Sequence, residues 1–142
     1  MCSQKTNYQL INVMIFLVLF LPFQNVGAKL REKSYLVSII NNLKNSSVPL
    51  RIHCQSKDDN LGYHDLSYDQ SFDFKFEEQI FFRTLFFCHF WWPPKQNIFD
   101  VFNNRNRCIK HGPFHTHTCI WSANLDGLSL NGVKIHDWSA ML

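Results

Sequence analysis

The sequence predicts an all-β fold, a small disulfide-stapled antiparallel β-sandwich of about seven to eight short strands. Short stretches rich in β-branched and aromatic residues recur along the chain, and turn residues bound each of them. No stretch after residue 28 shows sustained helical periodicity. Four cysteines follow residue 28, and this even number suits disulfide cross-links in a small domain.

Residues 1–28 are predicted to be a cleaved secretory signal peptide rather than part of the fold. Lys5 is the only charged residue there, and an apolar run follows over residues 10–23. The sequence VGA at residues 26–28 then supplies the small residues of a cleavage site. A membrane span needs roughly 20 apolar residues, and this run is shorter. We therefore expect residues 29–142 to be one exported domain, located outside the cell, without membrane insertion.

The predicted strands can be read off in chain order. The alternation of Phe72, Phe74 and Phe76 with charged side chains is typical of a half-buried strand. Residues 83–92 carry aromatic side chains on both faces, as in a central strand. Asp126-Gly127 is a favoured tight-turn pair and is expected to join the last two strands. The full set of predicted strands covers residues 35–40, 48–54, 72–76, 83–92, 98–102, 119–123 and 128–130.

The cysteines that follow the signal are expected to form two disulfides. They are Cys54, Cys88, Cys108 and Cys119. Four cysteines allow three pairings, and the sequence alone does not choose among them. The favoured pairing is Cys88–Cys108 with Cys54–Cys119, because Cys108 can fold back across the hairpin that follows the Cys88 strand.

A glycosylation sequon and a small net charge are the two predicted surface properties of the exported domain. The sequon NSS at residues 45–47 lies in a polar connection, so a glycan is expected on Asn45. The formal net charge of +3 falls to +2 when Lys5 leaves with the signal. This charge is too small to predict nucleic-acid binding, and no motif calls for a cofactor.

The most specific motif is HCQSKDDNLG at residues 53–62, a strand end followed by a charged loop that Gly62 closes. Three further segments follow in order: LFFCHFW, IFDVFN and, after Cys108, CIWSANLDGLSL. These segments resemble the HCxSxDDDLG, FxCxFxW, FxVF and C…CxWxxxxDGI patterns of the plant self-incompatibility S-protein homologue family. Asn60 stands where that family commonly has Asp, and Leu128 replaces Ile.

The resemblance implies a function as well as a fold. It implies a small secreted signalling ligand without catalytic residues, which meets a plasma-membrane receptor of a target cell in self-incompatibility-like recognition. We expect such a ligand to be a monomer. The candidate receptor contacts lie in the connections between strands, since loops on a rigid scaffold commonly carry recognition. They are Lys57, Asp58, Asp59, Trp92, Arg105 and Arg107.

Within these candidates, two structural questions stay open at the level of sequence. Asp58 or Asp59 could instead hold its own turn by accepting backbone N–H bonds. Of the neighbours Trp91 and Trp92, adjacent strand residues face opposite ways, so one of the two is expected to be exposed.

Two other functions are weighed against a binding role. A secreted ribonuclease would use two histidines as acid and base, drawn from His53, His89 and His115, with Lys57 or Lys110 near the phosphate. No spacing selects such a pair, and no GxSxG or Gly-rich phosphate loop is present. A metal-binding protein would use the cluster of His111, His115, His117 and Cys119. Cys119 is, however, expected to form a disulfide, so no metal site is predicted. No catalytic site is predicted either, because no spacing selects a pair of histidines.

Overall fold

The computed structural model describes residues 12–16, 33–78, 84–103 and 117–142. The chain forms two compact units, Met1–Leu30 and Arg31–Leu142. In the first unit, residues 12–16 are helical, and the predicted cleavage site at residues 26–28 lies outside the described residues. Within the described part of the chain, no helix has the length and apolar character that crossing a membrane requires.

The described residues of the second unit form ten strands in two five-stranded sheets, which confirms the all-β prediction. The strands are β1 (Lys33–Asn41), β2 (Leu50–Gln55), β3 (Asn60–Leu66), β4 (Ser71–Glu78), β5 (Phe86–Trp92), β6 (Lys95–Phe102), β7 (Thr118–Asn124), β8 (Gly127–Leu130), β9 (Val133–His136) and β10 (Ser139–Ala140). The first sheet has the order β4-β1-β7-β8-β9, and the second has the order β10-β6-β5-β2-β3. The predicted central strand is confirmed, because β5 lies between β6 and β2. Three strands, β3, β9 and β10, were not predicted.

One pairing departs from the antiparallel arrangement that the sequence suggested. β1 and β7 run parallel, with Leu36 opposite Thr118 and Asn41 opposite Ala123. The other described pairings are antiparallel. Parallel neighbouring strands cannot be joined by a tight turn, and the chain between β1 and β7 indeed contributes strands to the second sheet.

The core lies between the two sheets and is largely aromatic. Tyr35 of β1 lies 5.0 Å from Phe102 of β6, measured between ring centroids. Phe99 of the second sheet lies 4.7 Å from Trp121 of the first. Trp121 is fully buried, and its Nε1–H donates to the Val101 carbonyl oxygen at 2.9 Å, so the indole is satisfied inside the core.

The predicted disulfide pairing is wrong. Cys54 is joined to Cys88, because the two face each other on the neighbouring strands β2 and β5 with Cα atoms 4.1 Å apart. On the other side of β5, the short β5–β6 hairpin places Phe99, not Cys108, opposite Cys88. Cys119 is also disulfide-bonded. The bond that joins Cys54 to Cys88 excludes both Cys88–Cys108 and Cys54–Cys119, and Cys108 lies outside the described residues.

The connections between strands gather at two ends of the sandwich. One end carries the β2–β3 turn at residues 55–60, and we call it the acidic end. The start of β5 and the end of β6 lie there, since Phe87 pairs with Gln55 and Phe86 pairs with Phe102. The opposite end carries the β1–β2 connection and the β3–β4 turn, where the Asn41 N–H donates to the Gln70 carbonyl oxygen. The β5–β6 and β7–β8 turns also lie at this opposite end.

Candidate functional site

The turn that carries the two adjacent carboxylates is held by a serine. The Ser56 Oγ accepts hydrogen bonds from the backbone N–H of Asp58 at 3.3 Å and of Asp59 at 3.0 Å. The Ser56 N–H in turn donates to the Asp59 carbonyl oxygen at 2.8 Å. Neither carboxylate has a hydrogen-bond or ion-pair partner among the described residues. Ser56, rather than Asp58 or Asp59, therefore holds this turn by accepting its backbone N–H bonds.

The far side of the same turn is fixed by Asn60 and Gly62. The Asn60 Oδ1 accepts from the Gly62 N–H and from the His53 Nε2, both at 2.9 Å. Gly62 has a φ of 79°, a conformation that side-chain-bearing residues rarely adopt. The Cys54–Cys88 disulfide anchors the strand on which the turn is built. The motif is thus structural at Ser56, Asn60 and Gly62, while the intervening side chains face water.

The turn borders a groove at the acidic end. The groove has a volume of about 840 Å³, and Lys57, Asp58 and Asp59 line it together with apolar side chains. Leu85 is 41% exposed beside it, and Phe76 is half-buried. Charged and apolar side chains therefore line the same groove, and protein interfaces likewise combine apolar contacts with a polar rim. The arrangement can take part in charge pairing and in apolar contact at once.

Of the other predicted receptor contacts, Arg105 and Arg107 belong to the β6–β7 connection, and Trp92 lies at the opposite end of the sandwich. Arg105 and Arg107 lie outside the described residues. The connection that contains them follows β6, which ends at Phe102, and precedes β7, which begins at Thr118 opposite Leu36 near the start of β1. Both points lie at the acidic end.

Trp92 lies at the opposite end and is built into the structure. Its Nε1–H donates to the Ser46 Oγ at 2.9 Å, and its ring contacts Trp138 at 5.7 Å between centroids. The Lys95 ammonium lies 5.1 Å from the ring centroid. Trp91, its neighbour, projects from the outer face of the sheet and stacks on His89 and Tyr63. Both tryptophans are half-buried, so the expectation that one of them is exposed is wrong, and Trp91 is the one whose ring lies on the outer face of the sheet.

Asn45, the predicted glycan acceptor, is exposed in the β1–β2 connection with a φ of 62°. This connection also belongs to the opposite end. A glycan attached there would leave the acidic end uncovered. The glycosylation itself stays a prediction.

The structure brings together two of the histidines that a ribonuclease would need. His53 and His89 are directly opposite each other on β2 and β5. The His53 Nε2 is held by Asn60, and the His89 Nε2 lies 3.1 Å from the Gln96 Oε1. An amide oxygen only accepts, so both imidazoles use Nε2–H as a donor and neither offers that nitrogen as a base. His115 and Lys110 lie outside the described residues.

The metal cluster loses one of its proposed ligands. Cys119 is disulfide-bonded and cannot supply a thiolate. The His117 ring makes an edge contact with Tyr35 at 5.1 Å between centroids. Across residues 33–78, 84–103 and 117–142, no group of three or more His, Cys, Asp or Glu side chains is arranged to hold a metal ion. His111 and His115 lie outside these ranges.

The fold and the site together define a class of small β-sandwich proteins, cross-linked by disulfides, that display turns from a rigid aromatic core. The family model described as "Plant self-incompatibility protein S1" matches residues 36–141. The chain belongs to this family.

Individual relatives agree with the family assignment. S-protein homolog 3 of Arabidopsis thaliana is 30% identical over 139 residues, which cover 92% of this chain and 91% of that protein. S-protein homolog 2 of Arabidopsis thaliana is 35% identical over 88 residues, covering 62% of this chain but 55% of that protein.

A solved structure shares the fold, with a TM-score of 0.58 and 18% identity, covering 78% of this chain and 99% of that chain. It is described as a structure of SPH (Self-Incompatibility Protein Homologue) proteins, "a widespread family of small, highly stable, secreted proteins from plants".

Proposed function

We propose that this chain is a secreted plant protein that acts as an extracellular signalling ligand. In this proposal the acidic end binds a plasma-membrane receptor of a target cell, in self-incompatibility-like cell–cell recognition. The observation that carries the proposal is the pair of carboxylates, Asp58 and Asp59, on a turn that Ser56 holds beside a groove of charged and apolar side chains. Among the described residues neither carboxylate has a partner, so both are available to contact another molecule.

Family membership and the leader sequence support secretion and signalling. The matching family is named for plant self-incompatibility, and the structural relative is described as secreted. Residues 1–28 have the pattern of a cleaved signal peptide. A disulfide such as Cys54–Cys88 is typical of exported proteins. We extend these properties to this chain, which we propose acts as a monomer without catalytic activity.

The energetics favour a recognition role for exposed charges over a folding role. An exposed charge or ion pair contributes about 0–1 kcal/mol to folding. Removing one partner of a charge pair that is buried in an interface costs about 2–5 kcal/mol of binding. Asp58 and Asp59 can therefore be changed at little cost to the fold and at a large cost to an interface that uses them.

The test compares two charge-matched double variants in binding to the surface of receptor-bearing plant cells. Asp58→Asn with Asp59→Asn removes two charges at the acidic end while keeping side-chain size. Asp69→Asn with Asp126→Asn removes two charges from turns at the opposite end, and it serves as the control. We expect the first variant to keep its melting temperature and its secretion yield, and to bind cells at least about tenfold more weakly. The control should bind as the wild type does.

Equal binding by wild type and by both variants would overturn the proposed recognition end. Unfolding of the acidic-end variant would show instead that the turn needs its carboxylates. In that case the structural account of Ser56 as the residue that holds the turn would be wrong.

A further inference from the structure

A second groove lies on the outer face of the second sheet and plays no part in the proposed receptor contact. Its volume is about 430 Å³, and Tyr63, Trp91 and Pro93 supply its apolar walls. Arg51 and Asp65 supply its polar wall. Tyr63 is 65% exposed, and with Trp91 and Pro93 it forms a contiguous apolar surface, a feature that marks binding sites on other proteins. The groove is of the size that binds small molecules in other proteins.

Both aromatic walls are fixed in place by the same type of support. Tyr63 stacks on His53 with centroids 4.3 Å apart, and Asn60 holds the His53 Nε2. Trp91 stacks on His89 with centroids 3.7 Å apart, and Gln96 holds the His89 Nε2. Each ring therefore rests on an imidazole that an amide orients. Side chains that are already ordered lose little entropy when a ligand binds, so this groove is preorganised.

The polar wall offers both donors and acceptors. The Arg51 Nε–H and one Nη2–H donate to the two oxygens of Asp65, at 2.7 and 2.8 Å. A guanidinium has five N–H groups, so three are left without a partner among the described residues. The Asp65 carboxylate keeps unused lone pairs, and the Tyr63 hydroxyl has no partner among these residues either. The positive charge of Arg51 and the negative charge of Asp65 cancel, so the polar wall carries no net charge.

We propose that this groove binds a neutral carbohydrate, a short run of pyranose rings. Hydroxyl groups both donate and accept, so they can pair with the free N–H groups of Arg51 and with the lone pairs of Asp65. The C–H faces of a pyranose are apolar, and they pack on the faces and edges of Tyr63 and Trp91. Because the wall carries no net charge, an uncharged ligand fits it best. Arg51 and Asp65 would also hold each other in the orientation that the ligand needs.

Other occupants match this chemistry less well. A strand of nucleic acid would bring phosphates, and among the described residues that line the groove the only cation is Arg51, which Asp65 already neutralises. A proline-rich peptide suits an aromatic groove, but prolines have no N–H to offer the Asp65 carboxylate. An acidic sugar would meet the same carboxylate with an unfavourable charge.

The test measures binding of cellohexaose by titration calorimetry to the folded, disulfide-bonded domain, residues 29–142, produced without a glycan. Hexagalacturonate and decaproline are titrated in parallel as the acidic and the peptide alternatives. We expect cellohexaose to bind, and we expect Tyr63→Ala and Trp91→Ala each to weaken that binding about tenfold or more. Tyr68→Ala is the matched control, because Tyr68 is an exposed tyrosine outside the groove. This control should bind as the wild type does.

Melting curves of all variants separate a lost ligand contact from a lost fold. Tyr63→Ala is the more informative variant, since so much of its ring is already in water. The proposal is overturned if cellohexaose fails to bind at millimolar concentration, or if binding survives both groove substitutions in folded protein. Tighter binding of decaproline or hexagalacturonate than of cellohexaose would also overturn it. None of these outcomes bears on the acidic end, so the receptor proposal stands or falls separately.

Discussion

Individual side chains on the outer face of the second sheet decide between a structural and a catalytic use of histidine. His53 and His89 are neighbours across β2 and β5, an arrangement that acid–base catalysis on RNA could use. Each imidazole is instead committed to an amide through Nε2 and to an aromatic ring through its face. The geometry makes both histidines supports for their neighbours.

This assignment predicts that the purified protein leaves RNA intact. In both imidazoles the Nε2–H group already donates to an amide oxygen, so neither Nε2 is available to exchange a proton with RNA. The measurement is incubation of RNA with chelator-treated, nuclease-free protein, followed by gel electrophoresis. His53→Ala and His89→Ala are prepared alongside the wild type. Cleavage that follows the wild-type protein through purification and disappears in either variant would contradict the assignment.

At the scale of single elements, the strand with the clearest alternation is not the most deeply buried one. Phe72, Phe74 and Phe76 lie on β4, an edge strand, and all three are only half-buried. Phe102 of β6 is fully buried between the sheets, in contact with Tyr35 and Phe76. Alternation shows which face points inward, but the depth of burial depends on which strands lie on either side.

We therefore expect Phe102→Ala to lower the free energy of unfolding by about 3–5 kcal/mol, as for a buried aromatic residue. Phe74→Ala should cost less, because part of its ring is already in contact with water in the folded state. Urea denaturation of both variants measures the difference. An equal or larger loss in Phe74→Ala would mean that the two sheets pack more tightly at β4 than the structure indicates.

The sequence predicted all the inner strands and the edge strand β4, but it missed the edge strands β3, β9 and β10, for physical reasons. β2, β5 and β7 carry apolar side chains at alternate positions, because both neighbours and the opposite sheet cover them. β3 is an edge strand with a polar sequence, and it begins at Asn60, within the segment that looked like a loop. β10 has only two residues, too few for any pattern.

The candidate site was predictable in part. The sequence placed Asp58 and Asp59 in a charged turn but left open whether either carboxylate holds that turn, because the supporting role of Ser56 depends on backbone geometry. The disulfide pairing depends on register between β2 and β5, strands that are not consecutive in the sequence. The groove beside Tyr63 could not be foreseen, because β3 was not predicted and its pairing with β2 was therefore unknown.

At the scale of the whole molecule, the cross-links can be checked directly. Peptide mapping of secreted protein without reduction should yield a linked pair of peptides containing Cys54 and Cys88. Since Cys119 is also disulfide-bonded and Cys2 precedes the predicted cleavage site, we expect its partner to be Cys108. The intact mass should then be lower than that of the reduced chain by four hydrogens, two for each bond.

Reduction is expected to destabilise the domain. The residues joined by the mapped bond are 34 apart in sequence, and opening a loop of this size costs about 4 kcal/mol in the chain-entropy model. A linked peptide that joins Cys88 to Cys108, or a free thiol at Cys54, would contradict the register of β2 and β5.

The central claim is that the two ends of the sandwich have different roles. The acidic end carries Asp58 and Asp59, which have no partner among the described residues, beside a groove, and the connection with Arg105 and Arg107 starts after β6 and finishes before β7 at this end. The opposite end carries the predicted glycan acceptor, Asn45, and the built-in Trp92. Under the proposed function, the chain meets its receptor with the acidic end only.

Photo-cross-linking on living target cells tests this claim most directly. A photoreactive benzoylphenylalanine replaces Leu85, which is 41% exposed beside the acidic-end groove, so that Asp58 and Asp59 are kept. In a second protein it replaces Tyr68, an exposed aromatic residue of the β3–β4 turn at the opposite end. Both proteins are bound to the cells and irradiated. The account predicts that the position-85 protein is covalently captured by a plasma-membrane protein and that the position-68 protein is not. Capture from position 68 without capture from position 85 would contradict it.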